Sequence, residues 1–337
     1  MTAGLFSETS HSLVKKHLSQ TLFKSLHGLK TGSGFTLEKA IQSGIKNPDS
    51  TIGIYAGDAE SYQVFAAVFD PIISEYHHFP KGKDHVSDFS KPDLPPIDPE
   101  GKYILSTRIR VARNLKSYSF PPHISLSRRK DLEKKTISAL GSLKGDLAGR
   151  YMSLADIKIK QPESKVLVFE KGDRFQDAAG INSDFPEGRG VFYSSDRQLV
   201  VWVNEEDHLR IMSLEKSSDL SNTYKRLCRS LQALGRQLDF AQDNRLGYLT
   251  SCPTNLGTAM RAGVHIRLEK LNREKKTLNR LAKEYHLQIR GTRGEKTKVE
   301  NAVFDISNAE RLGISESDII RNIHKGLLAV INAEISL

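Results

Sequence analysis

The sequence predicts an α+β chain, with a small all-α N-terminal domain and a larger domain built on an antiparallel or mixed β-sheet. Three observations predict it. Residues 1–80 carry apolar stripes at helical spacing, residues 81–100 are polar and hold four prolines, and short strand-like runs follow from Tyr103 onward.

In the first segment, "LVKKHLSQTLFKSL" places Leu13, His17, Leu18, Leu22 and Leu26 along one helical face. A second stripe, Tyr62, Phe65, Phe69 and Ile72, follows Gly57 and a capping Asp58. Between them, "KNPDSTIGIYAG" has turn chemistry and then a short apolar bend. The stretch 81–100 is the linker, which sets the large domain at 101–337. There the strand candidates are "KVLVF" (165–169), "LVVWVN" (199–204), "GVHIRL" (263–268), "YHLQIR" (285–290) and "AVFDI" (302–306). Leu220, Tyr224, Leu227, Leu231 and Leu234 mark a helix, with Cys228 beside the stripe as a small core residue. Short Gly-containing turns between other strands disfavour a regular βαβ series.

Composition narrows the function. At 337 residues the chain is long enough for two domains, and no apolar run approaches the ~20 residues of a membrane span. The N-terminus lacks the basic-then-apolar layout of a signal peptide. Two cysteines make no disulfide framework and no Cys/His cluster has zinc spacing, so a reducing cytoplasm is expected. The net charge of +10 invites a polyanion, but acidic residues are mixed with the basic ones throughout and there is no basic tail. A small anion such as a nucleotide fits the charge equally well.

The common nucleotide loops are missing. Gly82-Lys83 and Gly101-Lys102 are followed by Asp84 and Tyr103, so there is no Walker A loop, and no GxGxxG opens a helix. Arginines offer another source of positive charge. In "STRIRVAR", Arg108 and Arg110 project from one face of a strand, although a lone pair of this kind is more often a solvated face. Arg210, Arg261, Arg290 and Arg293 flank other unusual stretches, and arginine holds phosphate through a planar fork. Glu205, Glu206 and Asp207 close an apolar strand, where burial requires cations, although Asp207 has the position of a cap for a helix at "HLRIMSLEK". "IRGTRGEKTKVEN" reads either as a mobile surface loop or as a lid that orders on an anion. Cys252, in "SCPTNLGT", has three open readings: a nucleophile, a buried structural thiol, or a thiolate stabilised by arginines.

Taken together, "STRIRVARNL", "QLVVWVNEEDHLRIMSLEK", "SCPTNLGTAMRAGVHIRL" and "IRGTRGE" resemble the phosphagen kinases, which move a phosphoryl group between ATP and a guanidino compound. The likeness extends to "KTGSGFTLEKAIQSGI", "GIYAGDAESYQVFAAVFDPII" and "FDISNAERLG", in the same order, and so covers nearly the whole chain. It implies a small helical domain and a large domain whose antiparallel sheet is flanked by helices, the glutamine synthetase/guanidino kinase-like fold. It also implies site residues. Arg108, Arg110, Arg210, Arg261, Arg290 and Arg293 would surround the phosphates of ATP or ADP, and His265 would lie near the adenine. Glu206 and Glu295 would grip the guanidinium beside Cys252. Ser50, Thr51, Ile52, Gly53 and Tyr55 would form the acceptor loop, linked to the large domain by Asp49 and Arg174. Mg²⁺ would arrive with the nucleotide and need no protein metal site. Two positions depart from the pattern: Val166 stands where relatives often have a second histidine, and Thr51 where glycine is common. Glu295 and Tyr76 point to L-arginine as acceptor, with taurocyamine or lombricine as the alternative. The resemblance further implies a cytoplasmic monomer or homodimer with small-molecule substrates, and no nucleic-acid or membrane partner.

Overall fold

The computed structural model describes residues 5–160, 168–292 and 297–337. Helices Leu13–His17, Gln20–Leu26, Leu37–Ala40, Gln42–Lys46, Ser61–Val64 and Ala66–His77 form the small helical domain. The first predicted stripe is two helices rather than one, because the Ser19 hydroxyl accepts a hydrogen bond from the Leu22 N–H at 3.1 Å and starts a new turn. Asp58 caps as expected, accepting from the Ser61 N–H at 2.8 Å.

Among the described residues, ten strands organise the large domain: β1 (Ile104–Arg113), β2 (Gly149–Ser153), β3 (Gly190–Ser194), β4 (Leu199–Val203), β5 (Leu209–Glu215), β6 (Gln242–Asp243), β7 (Gly247–Tyr248), β8 (Met260–Arg267), β9 (Leu287–Arg290) and β10 (Val303–Asn308). Eight of them form one sheet in the order β2-β3-β4-β5-β1-β8-β10-β9, and every neighbouring pair is antiparallel. The strands β6 and β7 make a separate ribbon. The predicted runs at 199–204, 263–268, 285–290 and 302–306 correspond to β4, β8, β9 and β10. Of "KVLVF", residues 165–167 lie outside the described residues, and Val168 and Phe169 are not in a strand.

One expectation is overturned. "HLRIMSLEK" is not a helix capped by Asp207 but strand β5. Asn204, in the left-handed region at φ 59°, turns the chain, and its N–H donates to the His208 carbonyl at 2.8 Å, closing a hairpin between β4 and β5. The alternation of Leu209 and Ile211 with Arg210 then suits a sheet with one apolar and one polar face.

On the apolar face, Ile109, Val111, Ile211, Val264, Ile266 and Ile306 pack with the helices Leu220–Gly235 and Glu316–Ser336 in one core. The predicted stripe Leu220, Tyr224, Leu227, Leu231 and Leu234 is buried there, with Cys228 alongside. The helical domain has its own core, but that core runs into the large domain through Leu249, Cys252 and Leu256. Backbone and side-chain bonds fasten the junction: Ala56 N–H to the Ser251 carbonyl at 2.8 Å, Tyr62 hydroxyl to the Thr250 carbonyl at 2.7 Å. The linker residues have no helix or strand, yet they are tied down. Glu316 accepts from the Ser87 hydroxyl and the Asp88 N–H, each at 2.9 Å. No described helix is long and apolar enough to cross a membrane.

Candidate active site

The sheet's polar face carries the arginines, and strand register explains their grouping. Arg110 on β1 sits opposite Arg261 on β8, while Ala112 on β1 sits opposite Arg210 on β5. Ser106 pairs with His265, His265 with Asp305 on β10, and Asp305 with Arg290 on β9. Side chains two apart share a face, so Arg108 joins them. Arg108, Arg110, Arg261 and His265 line one recess on this face. His265 Nδ1 lies 3.2 Å from the Ser106 hydroxyl, which orients the ring.

These guanidinia are short of counter-charge. Arg261 pairs with Asp305 at 2.8 Å, and Arg210 with Glu205 at 2.8 Å and Glu206 at 3.4 Å. By contrast, Arg110 donates to no described residue, and Arg108 reaches only the Met212 sulfur, its Nε having no partner. Burial, with Arg210 and Arg261 nearby, pulls Arg108 down to about 10. Burial followed by Arg210, Arg108 and Arg261 holds Arg110 well below its ordinary value. Arg108 remains cationic at neutral pH. Half-buried, mutually repelling guanidinium groups with unused donors are suited to a polyanion such as a nucleotide phosphate chain.

The acidic trio sits in the β4–β5 hairpin, and each member has a distinct partner set. Glu205 faces Arg210. Asp207 accepts from the Ser251 N–H and the Asn114 amide, both at 2.6 Å, and so anchors the cysteine turn to the hairpin. Glu206 faces the cleft, taking Arg210 and, at 3.5 Å, the Asn255 amide. Burial, then the charge of Glu205, pushes the Glu206 carboxyl up to about 7 against the pull of Arg210. A carboxyl in that position is matched to accepting a proton near neutral pH.

Cys252 lies in the adjoining turn, with its Sγ 3.1 Å from the Thr254 hydroxyl. The arginine field was expected to favour a thiolate. Instead burial, reinforced by the Glu206 charge, pushes the thiol up to about 12. The neutral thiol is therefore favoured until a positive charge is placed beside it. Gly257 allows the turn: at φ 90° it is left-handed, and a Cβ there would meet the Arg311 carbonyl oxygen at 2.2 Å.

The acceptor loop closes the other side. Ser50, Thr51, Ile52 and Tyr55 line a cleft of about 440 Å³ with Tyr76, Arg110, Glu206 and Arg290. Leu13 and Val14 N–H groups hold the loop through the carbonyls of Thr51 and Ile52, at 2.9 and 3.1 Å. Gly53 is left-handed at φ 74° and packs against Gly44. Arg174 binds Asp49 and, at 3.0 Å, the Asn47 side chain, so the expected link between loop and large domain is formed. Tyr55 is buried, and desolvation followed by the Cys252 and Glu206 charges keeps its hydroxyl protonated.

The structure places Arg108, Arg110, Arg261 and His265 at the recess on the sheet face and Ser50, Thr51, Ile52, Tyr55, Arg110, Glu206 and Arg290 at the acceptor cleft, with Arg110 common to both, while Arg210, Gly53 and Cys252 line neither. Arg293, Glu295 and Val166 lie outside the described residues. Sequence reasoning missed Arg311. Its guanidinium lines the acceptor cleft and donates to the Thr254 carbonyl at 3.0 Å, while its own carbonyl accepts from the Thr258 N–H at 2.9 Å. The only signal was its place in "FDISNAERLG", where a single arginine has no local pattern to mark it.

Comparisons with known proteins agree with this geometry. Residues 8–74 match the ATP:guanido phosphotransferase N-terminal domain, and residues 131–337 match the ATP:guanido phosphotransferase C-terminal catalytic domain. An arginine kinase of Limulus polyphemus is 43% identical over 334 residues, covering 96% of this chain and 92% of that protein. An arginine kinase of Anthopleura japonica is 45% identical over 332 residues, but the chain spans only 46% of that protein's length. The crystal structure of a lombricine kinase superposes with a TM-score of 0.92 at 32% identity, covering 99% of this chain and 95% of that one. The substrate-free duplicated taurocyamine kinase from Schistosoma mansoni gives a TM-score of 0.89 at 33% identity, over 98% of this chain and 48% of that one.

Proposed function

The chain belongs to the ATP:guanido phosphotransferase family, and from that premise we propose that it catalyses the reversible transfer of a phosphoryl group from MgATP to the guanidino group of L-arginine. The observation that carries the reading is the cleft itself, where the arginine-covered sheet face meets a carboxyl raised toward neutrality, Glu206.

Direct transfer calls for alignment and charge neutralisation rather than an enzyme nucleophile. Arg108, Arg110, Arg210, Arg261, Arg290 and Arg293 hold the phosphates and stabilise charge spread over the moving phosphoryl oxygens. His265 borders the adenine. Mg²⁺ enters as part of the nucleotide substrate. The acceptor guanidinium has a pKa above ~12 and is a poor nucleophile until it is oriented and loses a proton. Glu206 takes that proton as the nitrogen–phosphorus bond forms and the bond to the leaving ADP oxygen breaks. Glu295 serves as the second carboxylate for the guanidinium, and Cys252 contacts it as a polarisable neighbour. Ser50 to Gly53 and Tyr55 hold the amino-acid end.

L-arginine is preferred over other guanidino acceptors because the arginine kinases matched share 42–45% identity with this chain, above the 32–33% of the lombricine and taurocyamine kinase structures matched. The test is ADP production from MgATP with arginine, lombricine, taurocyamine and creatine offered separately. Arginine-dependent ADP release is expected. Its absence, with turnover of another acceptor, overturns the choice of substrate.

A further inference from the structure

The acceptor cleft is lined by Thr51 and Ile52, whose backbone N–H groups donate to no described residue. They offer a row of donors to an anion. The same cleft is lined by Asp173, an exposed residue whose neighbour Arg174 is bonded to Asp49 at the start of the loop. Asp173 Oδ1 caps the short helix Arg174–Ala178, accepting from the Phe175 and Gln176 N–H groups at 2.9 and 3.1 Å. Oδ2 takes no part in that cap. The adjacent Arg174 is committed to Asp49 and Asn47, and no described residue makes an ion pair with Asp173. Its charge is felt across the cleft: Tyr55, whose hydroxyl is influenced by Glu206, is also influenced by Asp173.

We propose that Asp173 is a specificity residue that binds the ammonium group at the amino-acid end of the acceptor. The cleft then reads a zwitterion, with the loop amides taking the carboxylate and Asp173 the amine. This rests on the acceptor being an amino acid, as the reading above has it. The geometry explains how one cleft separates arginine from a guanidino compound whose far end carries an anion and no cation. Such a compound gains from the amides but brings no cation to the Asp173 carboxylate.

Asp173→Asn tests this, because asparagine caps a helix as well as aspartate does and removes only the charge. The two probes are L-arginine and 5-guanidinopentanoate, which is arginine without its α-amine. For the second, KM is measured if it is phosphorylated and the inhibition constant against arginine if it is not. The variant is expected to raise the KM for arginine about fivefold, the size of a partly exposed ion pair. The constant for 5-guanidinopentanoate should stay within about twofold or improve. An equal rise for both probes, or none for arginine, overturns the role of Asp173 while leaving the acceptor intact. Wild-type enzyme that ignores arginine but phosphorylates taurocyamine, whose far end is a sulfonate, overturns the acceptor and Asp173 together.

Discussion

Replacing Glu206 with glutamine separates the two consequences of its burial. The carboxyl sits near 7 instead of its ordinary 4.5, with desolvation and the Glu205 charge responsible. The native state therefore holds the Glu206 proton more tightly than the unfolded chain does. The stability this contributes is complete below the unfolded value and is lost as pH rises through about 7. At 1.36 kcal/mol per pH unit, the ionised carboxylate destabilises the fold by about 3 kcal/mol at pH 8 relative to its neutral form. Glutamine removes the charge and keeps the shape. With an unfolding entropy near 2.1 cal/mol/K per residue, the variant should melt about 4 °C higher at pH 8 but only about 1 °C higher at pH 5. Turnover should move the other way, falling by about 10²–10⁴ with ATP affinity nearly unchanged, as for loss of a general base. In the wild type, kcat/KM for the acceptor should decline as pH falls below about 7, where Glu206 takes up its proton. Thermal melts at the two pH values and initial rates of ADP release decide the matter. Near-normal turnover would refute the base assignment, and equal melting shifts at both pH values would refute the charge reasoning.

Arg110→Met removes a half-buried cation that has no described partner, so it should stabilise the free protein by about 1 kcal/mol while cutting turnover at least about a hundredfold. A lower denaturant midpoint would show that Arg110 is paired after all. Gly53→Ala puts a Cβ 2.7 Å from the Val14 Cγ1 at a left-handed φ of 74°. It should lose about 1–3 kcal/mol in urea unfolding and raise the acceptor KM, and an unchanged midpoint would contradict the strain. Cys252→Ala should slow turnover roughly five- to tenfold without abolishing it, the scale of one neutral hydrogen bond. Complete loss in a variant that melts normally would mean a larger role for the thiol.

Much of the fold was legible because local pattern and final structure agree. The stripe from Leu220 to Leu234 is a buried helical face, and Arg108 and Arg110 do project from one side of a strand. What local pattern left undecided was set by long-range register. "STRIRVAR" has a third arginine, Arg113, one strand position out of phase. It is fully buried on the other face, stacked 3.3 Å over the Tyr248 ring, and nothing nearby in sequence marks the difference. The residues "HLRIMSLEK" can be written on either period, and the choice is made by the hairpin at Asn204 and by pairing with β1 and β4. Asp207 looked like a helix cap because its true donor, the Ser251 N–H, lies 44 residues away. Arg311 and Asp173 went unread for the same reason: each gains meaning only from what the fold sets opposite it.

The net charge of +10 takes on a more specific sense in this light. A surface spread of lysine and arginine invites any polyanion, but Arg108, Arg110 and Arg261 are half-buried and Arg311 is buried, and each is lowered by desolvation and by other arginines. Among the described residues the carboxylates paired with this group and its neighbour Arg210 are Asp305, Glu205 and Glu206, and such a group opposes folding by its own repulsion. It is tolerable because the sheet fixes β1, β5 and β8 through backbone pairing and an apolar underside that do not depend on the charges. A compact anion with several negative oxygens reverses the repulsion at a stroke, which a duplex lying along the surface would not do. The same repulsion that strains the free protein is thus what pre-organises the cleft for phosphate, without the glycine loop that the sequence lacks.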